Sequence, residues 1–407
     1  MPWSESRMQD RSRFIEAWQT QTWSVIELCR RFEVSRKTAY KVIERYKRFG
    51  AEGLADRSRA RLTQAHRTSA EVEGIIVKLA EDRRAWGPRK LRACLMMKHP
   101  EKQWPAVSTI GDLLKRYGLT KPRRRHRAGI SPTPSRFVAE QPNDLWRIDF
   151  KGWALSGDKK RCEPLGVTDH VTRFAITCDL LPNNRTEGVS MALEPAMKEY
   201  GLPLAILSDN GPPFAMSYAL AGLSKLAVRW LRLGIRLIRI DPGKPTQNGG
   251  HERFNLTMLR EAMTPMESTR EAQAQRLREF RRIYNEERPH EALGDKPPSS
   301  VYVRSPRPFP DEIPPFTYSP AFIPRTVTNK GIVKVRGNTV YLSEALCGES
   351  VGLEYIGSSH WCIHLGPLEV ALYDEISKRV LRYDTLVWSA DDDEGADDDA
   401  EAGLEQP

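Results

Sequence analysis

The chain has 407 residues, a hydrophobic content of 40% and a formal net charge of +10; that is too long for one core and calls for roughly two to four domains. Nine acids lie between Asp391 and Pro407, so setting that tail aside moves the balance from +10 to +19 on residues 1–390, and so positive a body favours a polyanionic partner, nucleic acid before membrane. No stretch is apolar enough to span a bilayer, the opening MPWSESRMQDR has no secretory core, and the six cysteines form no CxxC pair, which excludes a disulfide framework or zinc ribbon and predicts a cytoplasmic, nucleoid-associated home.

Residues 1–62 read as a helical DNA-binding unit. Met8, Phe14, Ile15 and Trp18 mark a first helix. Ser24 is placed to cap a second, with Val25, Ile26, Leu28, Cys29 and Phe32 turned inward, and Ser35 a third, RKTAYKVIERY. In that third helix Ala39, Val42, Ile43 and Tyr46 recur at the spacing of a buried stripe. Arg36, Lys37, Tyr40, Lys41 and Arg45 are left on the open face. Two short helices across a tight turn, the second cationic outside, make a helix-turn-helix, and those five side chains become candidate DNA readers. The competing reading is an ordinary three-helix bundle with a solvated basic face. Arg57 and Arg59, within LADRSRAR, extend the basic surface as a groove-following arm or form a plain linker.

Residues 63–120 repeat the pattern more weakly. Ser69 caps a helix to about Arg84, Trp86-Gly87-Pro88 breaks the chain before a helix on Leu91, Cys94 and Leu95, and Ser108 caps a last one on Ile110, Leu113, Leu114 and Tyr117. A second helix-turn-helix and a purely structural hairpin fit equally. Residues 121–143 form a linker, in which Lys121, Arg123, Arg124 and Arg125 supply a phosphate-neutralising run before Pro132, Pro134 and Pro142 discourage regular structure.

Residues 144–303 alternate as α/β. Strands are expected at Leu145–Trp153, Pro164–Thr168, Thr172–Leu181, in the apolar run ending at Leu207, and at Ile235–Ile240. Helices are expected at Thr186–Tyr200, along a stretch through Leu220–Leu233, from about Thr246, and at Arg270–Tyr284. Residues 304–325 are Pro-rich and read as a spacer. Residues 326–388 hold short, closely spaced strands that predict a small SH3-like barrel. The acidic tail, residues 389–407, is expected to be disordered.

Three acids stand where α/β folds put chemistry. Asp149 ends LWRIDF, Asp209 follows the apolar run at SDNG, and Glu252 falls in the first turns of the helix after Pro242–Gln247. Alone each is weak. Asp209 is also a turn former, and Glu252, flanked by His251 and Arg253, is also an ordinary solvated helix residue. Asp149 has the better case, since an acid on an internal strand is costly unless something positive holds it. Asp169 is assigned to the hairpin turn, Asp241 to the end of the next strand, and His251 to local packing. Three convergent acids suit two Mg²⁺ ions, hard cations that take a few carboxylates and keep water and phosphate as remaining ligands; Mn²⁺ is an acceptable substitute.

Five blocks carry a family likeness: LWRIDFKG (145–152), VTDHVTRF (167–174), LSDNGPPF (207–214), PGKPTQNGGHERFNLTM (242–258) and YNEERPHEALGDKPPSSVY (284–302). In that order they resemble the integrase-type catalytic domain of DDE transposases from bacterial insertion sequences, a ribonuclease H-like fold shared with retroviral integrases. The resemblance implies that Asp149, Asp209 and Glu252 are the catalytic, metal-binding triad; beside them Asn210, Asn248 and His251 are candidate secondary active-site residues that position the phosphate or the helix. It also implies an enzyme that cleaves the 3′ ends of a mobile element and joins them to target DNA by two-metal phosphoryl transfer. Such an enzyme works as a dimer or higher multimer on DNA. Two departures stand out. Between Asp209 and Glu252 lie 42 residues, more than the class usually has, an excess that the insert Leu220–Leu233 absorbs. No paired His and Cys of the zinc-binding kind precede the core, so a transposase fits better than a viral enzyme. Rival functions are a DNA-binding regulator on a transposase-derived scaffold and a nuclease of the same fold that cleaves without joining.

Overall fold

The first helices form because their caps and apolar spacings agree. The computed structural model describes residues 7–56, 68–120, 137–216, 219–240 and 245–388, and the chain divides into two units between Thr68 and Ser69. In the first unit lie α1 (Arg7–Gln19), α2 (Val25–Arg31) and α3 (Arg36–Phe49). Ser24 and Glu27 close a reciprocal capping box at α2, and the Ser35 hydroxyl accepts the Thr38 N–H at α3. Phe14, Ile15, Leu28, Ala39, Val42 and Ile43 fill the core. Ile26, expected inward, is exposed; the buried stripe of α2 runs through Val25, Leu28, Cys29 and Phe32, and Ile26 lies about 100° off it.

The second unit opens with α4 (Ala70–Asp82), α5 (Pro88–Lys98) and α6 (Val107–Arg116), closed around Ile76, Leu91, Cys94, Leu95, Trp104, Ile110 and Leu114. Ser69 caps α4 as expected, but α6 begins one residue earlier than its proposed cap. Ala106 takes the N-cap position without a side-chain bond, and Ser108 sits inside the first turn. Arg83 and Lys98 of this layer both reach Glu287, at 3.4 and 2.6 Å.

The α/β part consists of β1 (Leu145–Phe150), β2 (Ala154–Leu155), β3 (Arg161–Asp169), β4 (Ala175–Leu181), α7 (Thr186–Tyr200), β5 (Ala205–Ser208), α8 (Lys225–Arg232), β6 (Arg236–Arg239), α9 (Gly249–Ala262) and α10 (Arg270–Glu286). The sheet runs β4-β3-β1-β5-β6, with β2 on the start of β3. The β4, β3 and β1 strands are antiparallel, and β1, β5 and β6 parallel. Alternation along β1 sends Trp146 and Ile148 into the core shared with α7 and α8. Leu145 and Asp149 face the other side, where Asn255 of α9 meets Asp149. Asp169 is buried, accepting the N–H groups of Asn143 (2.8 Å) and Thr172 (2.7 Å) and the Thr172 hydroxyl (2.6 Å). It is a turn-forming acid, one oxygen spent on Thr172 within the turn and the other on the Asn143 N–H just before β1.

The insert expected as one long helix is broken. A 3-10 turn at Leu220–Gly222 carries positive φ at Ala221 (48°) and Gly222 (64°), and the Ser224 hydroxyl then caps the eight-residue α8. Positive φ at two successive residues reverses the chain and ends any helix there.

The C-terminal part is antiparallel: β7 (Ile323–Thr326), β8 (Ile332–Val335), β9 (Asn338–Tyr341), β10 (Ser350–Gly357), β11 (His360–Leu365), β12 (Leu368–Asp374) and β13 (Arg379–Trp388). One sheet runs β13-β12-β11-β10-β7, and β8 and β9 form a separate hairpin. The β7 strand lies partly in the stretch read as a spacer. That stretch is also tied to the core, for Arg307 donates to the carbonyls of Pro203 (2.6 Å) and Gly234 (2.7 Å). The acidic tail lies outside the described residues.

Candidate active site

Strand register brings two of the three acids together. Leu145 stands beside Ala205, Trp146 beside Ile206 and Arg147 beside Leu207; carried two residues on, the same register sets Asp149 beside Asp209, just past the end of β5. Both are half-buried. Burial and the neighbouring Asp209 push the Asp149 carboxyl up to about 6, and burial also raises that of Asp209. The Asn255 amide donates to Asp149 Oδ2 at 2.9 Å, and the Gly211 N–H to Asp209 Oδ1 at 3.1 Å. Neither carboxylate forms an ion pair among the described residues. Two acids held side by side with no ion pair, and with Lys151 only partly offsetting their charge, make a site that suits a cation.

Glu252 stands apart from that pair. Helix α9 buries His251, Phe254, Asn255 and Met258 against the sheet, and Glu252 lies on the exposed flank of this stripe, one turn before Asn255. Asn255 holds the inward position on Asp149. Accordingly, the described residues contain no group of three His, Cys, Asp or Glu side chains able to hold one ion.

The secondary residues have distinct places. Asn210 is exposed and its amide donates to the Ile240 carbonyl at 2.8 Å, tying the turn after β5 to the end of β6. Asn248 is buried at the start of α9 with its Oδ1 unpartnered. His251 is fully buried, with Nδ1 3.1 Å from the Thr168 hydroxyl. Burial and the Arg147 guanidinium push its imidazole down to about 3, so it is neutral at physiological pH and serves to fasten α9 to β3.

On α3, Arg36, Lys37, Tyr40 and Lys41 are exposed. Arg45 is half-buried and donates to the Ala55 carbonyl, which turns its fork away from the open face. Arg57, Arg59, Lys121, Arg123, Arg124, Arg125 and Asp241 lie outside the described residues.

Two participants escaped sequence reasoning. Asn255 has a readable signal, because it sits three residues after Glu252 on one side of a helix. Arg147 has a fainter one, standing two residues before Asp149 on the same strand face.

Comparison with known proteins adds three findings. Residues 139–245 and 233–298 match families described as Integrase core domain, residues 10–61 match a helix-turn-helix domain, and residues 38–114 a homeodomain-like domain. The chain is 32% identical over 234 residues to the insertion element IS407 uncharacterized 31.7 kDa protein of Burkholderia multivorans, covering 56% of this chain and 79% of that one. It is 30% identical over 228 residues to the insertion element IS476 uncharacterized 39.2 kDa protein of Xanthomonas euvesicatoria, covering 55% of this chain and 62% of its relative. Among solved structures, the HTLV-2 integrase catalytic core domain in complex with magnesium is similar at 14% identity and a TM-score of 0.32, over 40% of this chain and 97% of that one.

Proposed function

The chain belongs to the bacterial insertion-sequence transposases with an integrase-type core, and on that premise we propose that it binds the ends of a mobile DNA element, cleaves at the 3′ ends and joins them to target DNA. Asp149, Asp209 and Glu252 are the acids assigned to the reaction. The observation that supports this most is the pair of Asp149 and Asp209 at neighbouring strand ends, without an ion pair of its own, which suits divalent cations of the Mg²⁺ type. Bound there, two such ions would activate the attacking water or 3′-hydroxyl and stabilise the oxygen leaving phosphorus. The protein's own groups do the holding. Asn255 fixes the Asp149 carboxylate and the Gly211 N–H that of Asp209, while Glu252, exposed on the flank of α9, is assigned the third carboxylate and would have to be brought to the pair when metal and DNA bind. Asn210 and His251 anchor the loop and helix that frame the acids.

The helix-turn-helix units bind the element's ends and the C-terminal strands form a small SH3-like barrel. Because two ends must be joined, at least two copies act together on DNA, in the cytoplasm. A DNA-binding regulator is the weaker alternative, since a scaffold has no use for two carboxylates that burial pushes up, one of them further by its neighbour.

Incubating the protein with labelled duplex ends, a target duplex and Mg²⁺ separates the possibilities. The expected product is a metal-dependent joined strand. Nicking without joining would identify a nuclease, and binding without either a regulator. A second expectation concerns α3. Changing Arg36 and Lys37 together to alanine should lower the slope of log affinity against log salt by about 2, one for each lost phosphate contact. An unchanged slope removes these side chains from the interface.

A further inference from the structure

A buried cation without a counter-ion lies two residues upstream of Asp149. Arg147 is 6% exposed, and no hydrogen bond or ion pair holds it among the described residues. Its Nε is sealed from solvent with no acceptor. The guanidinium presses against Gly250, the second residue of α9: a Cβ built on Gly250 would collide with Arg147 Nη1 and come 3.3 Å from Arg173 Nη1. Two arginine forks therefore converge beneath the first turn of a helix 14 residues long, whose N-terminal N–H groups receive no side-chain cap.

The neighbours do not relieve this charge. His170 is pushed down to about 4 by burial and by both arginines, so it adds no negative group and loses its own proton. Arg173 takes φ 63° in the β3–β4 turn, a left-handed conformation that favours glycine. Like charges brought together away from water are costly unless an anion completes them. Paired guanidinium forks at a helix N-terminus match the oxygens of one phosphate group.

We propose that Arg147 and Arg173, with the N-terminus of α9, form a seat for a DNA backbone phosphate next to the one presented to Asp149 and Asp209. Residues two apart on a strand stand about 6.6 Å apart, the scale of one step between adjacent phosphates. Occupying the seat sets the register of the strand, so the seat decides which bond reaches the acids. This deepens the assignment of the acid pair and rests on it.

Thermal unfolding of the full-length, metal-free protein with and without inorganic phosphate tests the seat apart from the reaction. Phosphate should raise the wild-type Tm by about 2–4 °C. Arg147→Met should unfold at the wild-type temperature or above without phosphate, because an uncompensated charge is gone, and should respond to phosphate by less than half as much. The salt slope of its DNA binding should fall by about 1, and joining by at least about tenfold. A wild type that ignores phosphate overturns the proposal. So does an Arg147→Met protein that melts several degrees lower yet keeps the full phosphate response, for then the arginine is structural. If Arg147→Met does not fold, Arg173→Gln, on the half-buried turn, must itself weaken the phosphate response, and an undiminished response overturns the seat. Absence of joining by the wild type would instead defeat the proposed reaction while leaving the phosphate response to be read.

Discussion

Asp149→Asn should lose end joining by on the order of 10³-fold or more, and yet, without divalent metal at pH 7.5, unfold at a slightly higher temperature than the wild type. The two effects have one cause. In the folded chain the Asp149 carboxyl is raised from 3.8 to about 6 by burial and by Asp209. Between those values the folded state binds more protons than the unfolded one, so metal-free stability falls as pH rises from about 4 to about 6, and the penalty is complete above that. A shift of about two units corresponds to roughly 3 kcal/mol at most. Because Asp149 is only half-buried, solvent screening cuts the expected gain to about 1 kcal/mol, or about 2 °C.

Mg²⁺ should reverse the ranking. It stabilises the wild type above pH 6, where the carboxylate is ionised, and leaves Asp149→Asn nearly unaffected. Glu252→Gln supplies the contrast. Glu252 is exposed on the flank of α9, so its amide should lose joining as completely while melting at the wild-type temperature without metal. Near-normal joining by Glu252→Gln would remove it from the reaction, and a lower Tm for metal-free Asp149→Asn would mean that the acid pair is not under the electrostatic load described.

The contrast between Asp149 and Glu252 also shows what a sequence can and cannot carry. Asp209 was readable as a strand-end acid because an apolar run stops at it, and Asp169 as a turn former because Thr172 follows within reach of its carboxylate. The contact between Asp149 and Asp209 was not, since it depends on the register of two parallel strands 60 residues apart, set by the burial of Trp146, Ile148 and Ile206 together. Caps at Ser24, Ser35 and Ser69 were local and legible. The break at Ala221 was not, because a non-glycine residue at φ 48° leaves no mark in hydropathy. Arg147 was the least legible of all. A lone arginine in a strand reads as solvent-exposed, and only the packing of α9 over it makes it a buried charge. The β7 strand hid behind Pro324, since proline lowers strand propensity but is tolerated on an edge, and β7 is an edge strand.

Gly166→Val should disable the same site from the opposite side of the ladder. Gly166 pairs with Asp149 between β1 and β3, and a Cβ there would stand 2.7 Å from Phe254 Cε1 and 3.2 Å from His251 Nε2. Glycine is required for the close approach of α9 to the sheet rather than for an unusual backbone angle. A valine must push α9 outward, and overpacking of this kind costs about 1–3 kcal/mol. The helix carries Asn255, which holds Asp149 at 2.9 Å, and Glu252 one turn earlier, so the same displacement unlatches one carboxylate and withdraws another. Joining should then fall at least as far as for Asp149→Asn, accompanied by a lower Tm, which separates a displaced helix from a lost ligand. Making room should partly undo the damage: Gly166→Ala paired with Phe254→Leu is expected to be more stable than the sum of the single changes, because the shorter side chain vacates the space that the new methyl enters. Strict additivity of that pair, or wild-type joining by Gly166→Val, would show that the seating of α9 on β3 does not govern the acids.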